Sequence, residues 1–284
     1  MSSALRIIPR IDIKGPNLVK GMHLEGLRVL GKPEKFARYY YEEGADEIFY
    51  QDVVASLYGR NSLHEIISKT AQEVFIPLTV GGGLRSLDDI SSVLRAGADK
   101  ISINTSAHEN PKLIVEASKV FGKSTIVVSI EAIHQPEGFW EAFTDNGRNR
   151  TGREVISWAR EVQELGAGEI ILTSVDKEGT GKGLDLELIR NVHSAINIPL
   201  VVHGGIGKIE HAIELINGLK VSGIAMASLI HYHYYKIIGN ASGFEDEGNI
   251  EFLKSNRSYS NISPIDLKTI KSILKKNNVM CRPI

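Results

Sequence analysis

Cysteine is nearly absent. Cys281 is the only one in 284 residues, so the chain has neither an internal disulfide nor a thiolate metal cluster, as befits a reducing compartment. No run of about eighteen apolar residues exists, the length a membrane-crossing helix needs. The N-terminus, MSSALRIIPRIDIKG, holds only a short apolar run and no hydrophobic region before a cleavage site, so no secretory signal is read. Neither sign of charge dominates. With 33 Lys and Arg against 34 Asp and Glu, the formal net charge is −1, and no global field recruits nucleic acid or an anionic membrane. There is no HExxH and no second cysteine, so HYHYY at His231–Tyr235 reads as the packed start of a helix rather than a metal site. GTGKG at Gly179–Gly183 lacks the GxxxxGK[ST] spacing and reads as a flexible loop. The expectation is a soluble, cytoplasmic protein without metal or cofactor.

What is present is alternation. Strand-like runs fall at Ile7–Ile13, Glu47–Asp52, Pro77–Gly81, Lys100–Asn104, Thr125–Glu131, Glu169–Ser174, Pro199–His203 and Gly223–Ala227. Amphipathic segments lie between them, among them Pro33–Glu43, Leu87–Ala96, Pro111–Phe121, Glu154–Leu165 and Leu186–Ala195, with a last one at Pro264–Asn277. Parallel strands need a crossover helix each, so the pattern predicts a parallel sheet, and eight strands favour closure into a single (β/α)8 barrel spanning 1–284. The chain also repeats itself. IPLTVGGG at Ile76–Gly83 returns as IPLVVHGG at Ile198–Gly205, 122 residues on. EGADEIFYQD at Glu43–Asp52 returns as LGAGEIILTS at Leu165–Ser174, and KISINTSAH at Lys100–His108 as GIAMASLIH at Gly223–His231. Two halves of four βα units are the simple account. A polar stretch, 239–262, interrupts the pattern between strand eight and the final helix; it is expected to be an insertion, either a lid or a solvated excursion.

Active sites of such barrels sit at the C-terminal strand ends. Asp12 ends strand one and Glu131 ends strand five, on opposite sides of one mouth. Two carboxylates held apart suit general acid/base chemistry, the alternative being salt-bridged rim residues. Gly82 and Gly83 with Asn104 and Thr105 form one candidate phosphate site, and Gly204 and Gly205 with Ala227 and Ser228 another. Glycine amides, small hydroxyls and a following helix N-terminus favour an anion there; otherwise the glycines serve tight turns alone. At the opposite end, four charged residues begin strands: Arg6, Glu47, Lys100 and Glu169. They read either as a structural ion-pair plug or as a gate to a passage.

The motifs RIIPRIDIKG, VKGMHLEGLR, EEGADEI, FIPLTVGGGLRS, RAGADKISINTSA, ELGAGEIILTSVDKEGTGKGLD and HGGIG together resemble the cyclase subunits of imidazole glycerol phosphate synthases, enzymes of histidine biosynthesis. The resemblance runs from Arg6 to Tyr235 and takes in the final helix. It implies that a separate glutaminase docks at the N-terminal face and supplies ammonia, which crosses the barrel to a bisphosphate substrate. It implies gate roles for Arg6, Glu47, Lys100 and Glu169, a part in receiving ammonia for Asp99, catalysis by Asp12 and Glu131, and substrate contacts for Lys20, Thr173 and Asp176. The chain departs from the family at the mouth. Glu131 stands where the family has aspartate, Arg10 where it usually has cysteine, and His203 where it has a small residue; 239–262 is an addition. Retained phosphate sites favour the cyclase reaction. The departures leave open a paralogue that uses the same ammonia route to amidate a bacterial surface sugar, and a non-catalytic partner that only activates the glutaminase.

Overall fold

The computed structural model describes residues 4–55, 63–238 and 261–283. Its strands are β1 (Arg6–Lys14), β2 (Asn17–Met22), β3 (Glu25–Gly31), β4 (Ile48–Asp52), β5 (Leu78–Gly81), β6 (Lys100–Ile103), β7 (Ile126–His134), β8 (Trp140–Thr144), β9 (Asn149–Glu154), β10 (Glu169–Ser174), β11 (Leu200–His203) and β12 (Gly223–Met226). Eight of them pair in parallel in the order β1-β4-β5-β6-β7-β10-β11-β12, and the β12–β1 pairing closes the ring. This is a TIM barrel, as the alternation predicts. Helices cover its outside because each presents one apolar stripe. Leu87–Ala96 illustrates how the sequence sets their limits. Ser86 and Asp89 form a capping box at its start, Gly97 at φ 121° ends it, and Ile90 and Val93 face the core.

The repeat is visible in two additions that the alternation does not predict. β1 runs on into an antiparallel hairpin, β2 and β3, and β7 into another, β8 and β9. Asp12 pairs with Val19 at the root of the first, and Glu131 with Phe143 at the root of the second. β1 and β7 lie across the ring from each other, with three strands between them either way.

At the N-terminal end of the barrel the two Gly-Ala-Asp motifs clip neighbouring strands. Asp46 accepts a bond from the N–H of Ile7 and Asp99 one from Leu78, each at 2.8 Å. Asp46 also holds Nζ of Lys271 at 2.7 Å, which fastens the helix Leu267–Lys276 to the barrel. β12 is followed first by a helix, Ser228–Ile238. Of the expected insertion, residues 239–260 lie outside the described residues; Asn261, at its end, packs its carbonyl against Gly181 and Gly207. Among the described residues no helix is long and apolar enough to cross a membrane.

Candidate active site

Side chains alternate along a strand, so every second residue of a barrel strand points inward. On β1 these are Arg6, Ile8, Arg10 and Asp12, one from each level of the interior. At the N-terminal level, Arg6 Nη1 donates to Glu47 at 2.7 Å and the guanidinium also pairs with Glu169. Lys100 Nζ lies 2.9 Å from each of the same two glutamates, and Thr79 Oγ1 donates to Glu47 at 2.5 Å. Two cations and two carboxylates thus form a closed square in which each charge meets both opposites. The four residues named from the sequence do come together. Asp99 stands apart from them, exposed and engaged with Leu78. Above the square lies an apolar cluster separate from the main core: Ile8, Phe49, Val127, Ile171, Val201 and Ala225.

The mouth is built on that cluster. Arg10 is buried with its guanidinium over the Phe49 ring, 5.5 Å from the centroid. Its Nε donates to Asp12 at 2.9 Å, and its Nη1 to Thr173 Oγ1 at 3.0 Å. Nη1 also lies 3.3 Å from Nδ1 of His203. A guanidinium only donates, so that nitrogen accepts and the His203 proton sits on Nε2. Burial and then the charges of Arg10 and Lys20 hold His203 far below the usual imidazole range, hence neutral. Across the mouth, Glu131 is only 4% exposed and accepts from the N–H of Gly147 at 2.8 Å. Burial pushes its carboxyl up to about 7, against the pull of Arg10 and of the Gly147 N–H, with Asp12 and Asp145 adding to the rise. A carboxyl that titrates near neutrality suits a group that must both give and take a proton.

The two glycine motifs form two cavities on opposite sides of the ring. The larger, about 300 Å³, is lined by Gly82, Gly83, Asn104, Thr105 and, among others, Glu131. The smaller, about 20 Å³, is lined by Gly204, Gly205, Ala227, Ser228 and His203. Gly82 and Gly204 adopt matching left-handed φ values of 106° and 103°. A Cβ would stand 2.5 Å from the Asp52 carbonyl at the first and 2.6 Å from the Ser174 carbonyl at the second. Both positions therefore require glycine. The larger cavity is not a bare anion cradle. Asp145 accepts from Thr105 Oγ1 at 3.4 Å while its N–H donates back at 3.2 Å, and Asn104 Nδ2 donates to the Phe143 carbonyl. Ser102 Oγ and Asn104 Oδ1 are buried there without a partner among the described residues.

The first hairpin is tied down over the mouth. Lys20, buried, pairs with buried Glu178, which also accepts from the N–H of Leu24 at 2.9 Å. His23 Nδ1 meets the Val175 carbonyl at 2.8 Å, and Asn146, from the second hairpin, donates to the carbonyl of Leu24. Asp176 is exposed and accepts from the N–H of His134 at 2.8 Å, so it holds the end of β7. Sequence reasoning passed over Glu178 and Asp145. The first lies inside the motif around Gly179, and the second opens an Asp-Asn-Gly turn, a recognisable hairpin signal. Among the described residues no group of three His, Cys, Asp or Glu side chains is placed to hold a metal ion.

Comparison with known proteins agrees with this architecture. The family model for histidine biosynthesis proteins matches residues 6–236, ending just before the polar stretch at 239–262. The chain is also 57% identical over 208 residues to imidazole glycerol phosphate synthase subunit HisF of Legionella pneumophila, an alignment that spans 73% of this chain and 98% of that protein. A barrel with paired glycine cavities, facing acids and a family match over most of its length belongs to the histidine biosynthesis protein family.

Proposed function

We propose that the chain is the ammonia-using cyclase subunit of an imidazole glycerol phosphate synthase. In this reading a glutaminase docks on the N-terminal face. Exposed Phe75, Val120 and Met280 stand at that end, and the Arg6–Glu47–Lys100–Glu169 square lies at its centre. Neutral ammonia passes the square and the apolar layer, where an ion would have to shed its water at great cost. At the mouth it attacks a bisphosphate ribulosyl intermediate held at both glycine cavities. Ring closure and cleavage of a C–N bond then release imidazole glycerol phosphate and an aminoimidazole carboxamide ribonucleotide. Asp12 and Glu131 carry the protons, a contribution of roughly 100- to 10,000-fold. Around the mouth Thr173 orients Arg10, Lys20 pairs with Glu178 and Asp176 holds the end of β7. The observation that carries the reading is the placement of two acids on opposed strands between two cavities, one paired with Arg10 and the other titrating near 7.

A second reading keeps the ammonia route and changes the substrate to a bacterial surface sugar that receives an amidino group. Two observations favour it. Arg10 already occupies Asp12, and Asp145 already occupies Thr105, where a second phosphate would sit. Ammonium-dependent turnover of the bisphosphate by wild type and Glu131→Asp, measured side by side, separates the two. The cyclase reading expects activity in both, kept or raised in the variant. An inert wild type that still binds phosphate puts the sugar reading first.

A further inference from the structure

The ladder between β1 and β12 runs from Arg6–Gly223 to Pro9–Met226 and stops there. The carbonyl of the next residue, Arg10, is met by a side chain instead: Nε2 of His231 lies 2.8 Å from it. A carbonyl only accepts, so Nε2 bears the proton and Nδ1 is the acceptor. The Tyr40 hydroxyl donates to that nitrogen at 2.6 Å. Both side chains are fully buried, with the rings stacked at 5.7 Å and Phe36 set edge-on to His231 at 5.9 Å. Burial first, and then Lys20, bring His231 down to about 3, against the Arg10 carbonyl and Asp12. The imidazole is neutral at any working pH, and its two hydrogen bonds keep their direction. His231 stands one turn into the helix that begins at Ser228, a residue of the smaller cavity.

We propose that His231, propped by Tyr40, is a positioning residue that fixes β1 at Arg10 and thereby sets the Arg10–Asp12 pair at the mouth. Strand β1 loses its β12 partner two residues before Asp12, at the place where the catalytic geometry must be most exact. His231 replaces the missing ladder bond with one from the helix. Arg10 and Asp12 then move together or not at all, since Nε holds the carboxylate at 2.9 Å. A displacement of about 1 Å at a reacting group is enough to cost on the order of 100-fold in rate. A histidine that merely fills the core would contribute to stability alone.

The kinetic part of the test rests on the cyclase reading; the structural part does not. Ammonium-dependent kcat and KM are measured across pH for wild type, His231→Leu, His231→Gln and Tyr40→Phe. The position of the Arg10–Asp12 pair relative to Thr173, His203 and Glu131 is measured in crystals of each. His231→Leu is expected to lower kcat about 10- to 100-fold with KM within about threefold. The limb of the pH profile set by Glu131 should also move upward, because Arg10 holds that carboxyl down. His231→Gln, which keeps a donor, should restore kcat to within about threefold of wild type and the pH limb with it. Tyr40→Phe removes one hydroxyl and keeps the packing; it should lose at least about threefold in kcat, and it carries the test if His231→Leu does not fold. An Arg10–Asp12 pair that keeps its wild-type position relative to Thr173, His203 and Glu131 in His231→Leu or Tyr40→Phe overturns the proposal. So does a loss of activity that follows folded protein alone with an unmoved pH profile. If wild type itself is inert with the bisphosphate, the cyclase reading fails and the crystallographic position of the pair decides this one.

Discussion

Glu131 allows a test that needs no substrate. Its carboxyl lies at about 7 in the folded protein and at 4.5 when free, because burial disfavours the charge. The folded state therefore holds a proton that the unfolded chain releases. Stability from this group is fully present below pH 4.5 and is lost as pH rises through about 7. At about 1.4 kcal/mol per pH unit, the whole loss is about 3 kcal/mol, roughly three quarters of it between pH 5 and pH 8. Glu131→Gln keeps an acceptor for the N–H of Gly147 and has no charge to bury. The variant is expected to match wild type or fall slightly below it at pH 5, and to exceed it by up to about 3 kcal/mol at pH 8. Urea unfolding at the two pH values, with equal slopes for both proteins, reads this directly. The same substitution should cost roughly 100- to 10,000-fold in turnover, a trade of stability against activity at one atom. A gap between variant and wild type that is equal at pH 5 and pH 8 would refute the claim that the folded protein pushes this carboxyl up.

Two further outcomes test the scaffold. Gly204→Ala forces a Cβ to within 2.6 Å of the Ser174 carbonyl at a left-handed φ, and is expected to destabilise by about 1–3 kcal/mol and weaken phosphate binding by calorimetry; unchanged affinity would leave that glycine a turn residue only. Lys271→Met strips the buried Asp46 of its cation and should cost about 3–5 kcal/mol in urea unfolding, while adding Asp46→Asn, which keeps the bond from Ile7, recovers part of it; additive losses would disprove the coupling.

The strands of the barrel were legible because each is a short β-branched run bounded by glycine or by an amphipathic helix. Glu169–Ser174, Leu87–Ala96 and Leu186–Ala195 fall where the sequence places them. The charged square and both glycine pairs were legible for a related reason: inward positions recur every two residues, so a strand start or end fixes which side chain enters the barrel. The hairpins were not. Asn17–Gly31 is too mixed in polarity to show a period of two, and its turn places His23 and Leu24 at left-handed φ values of 53° and 61°, residues that do not announce such a turn. The second hairpin carried a clearer sign in Asp145-Asn146-Gly147. The network around Arg10 was hidden for another reason. Its partners Thr173 and His203 come from two other strands, and the carbonyl contact from His231 comes from a helix 221 residues away.

The apolar layer of Ile8, Phe49, Val127, Ile171, Val201 and Ala225 also stands between two charged levels of the barrel. After burial, the groups that act most on Glu131 are Arg10, Gly147, Asp12 and Asp145, all at the mouth. Such a layer does not screen a field; what it opposes is the passage of an ion, which would have to leave its water behind. The strands themselves run through the layer, so a shift of β1 at Arg6 is carried along one backbone to Arg10 and Asp12.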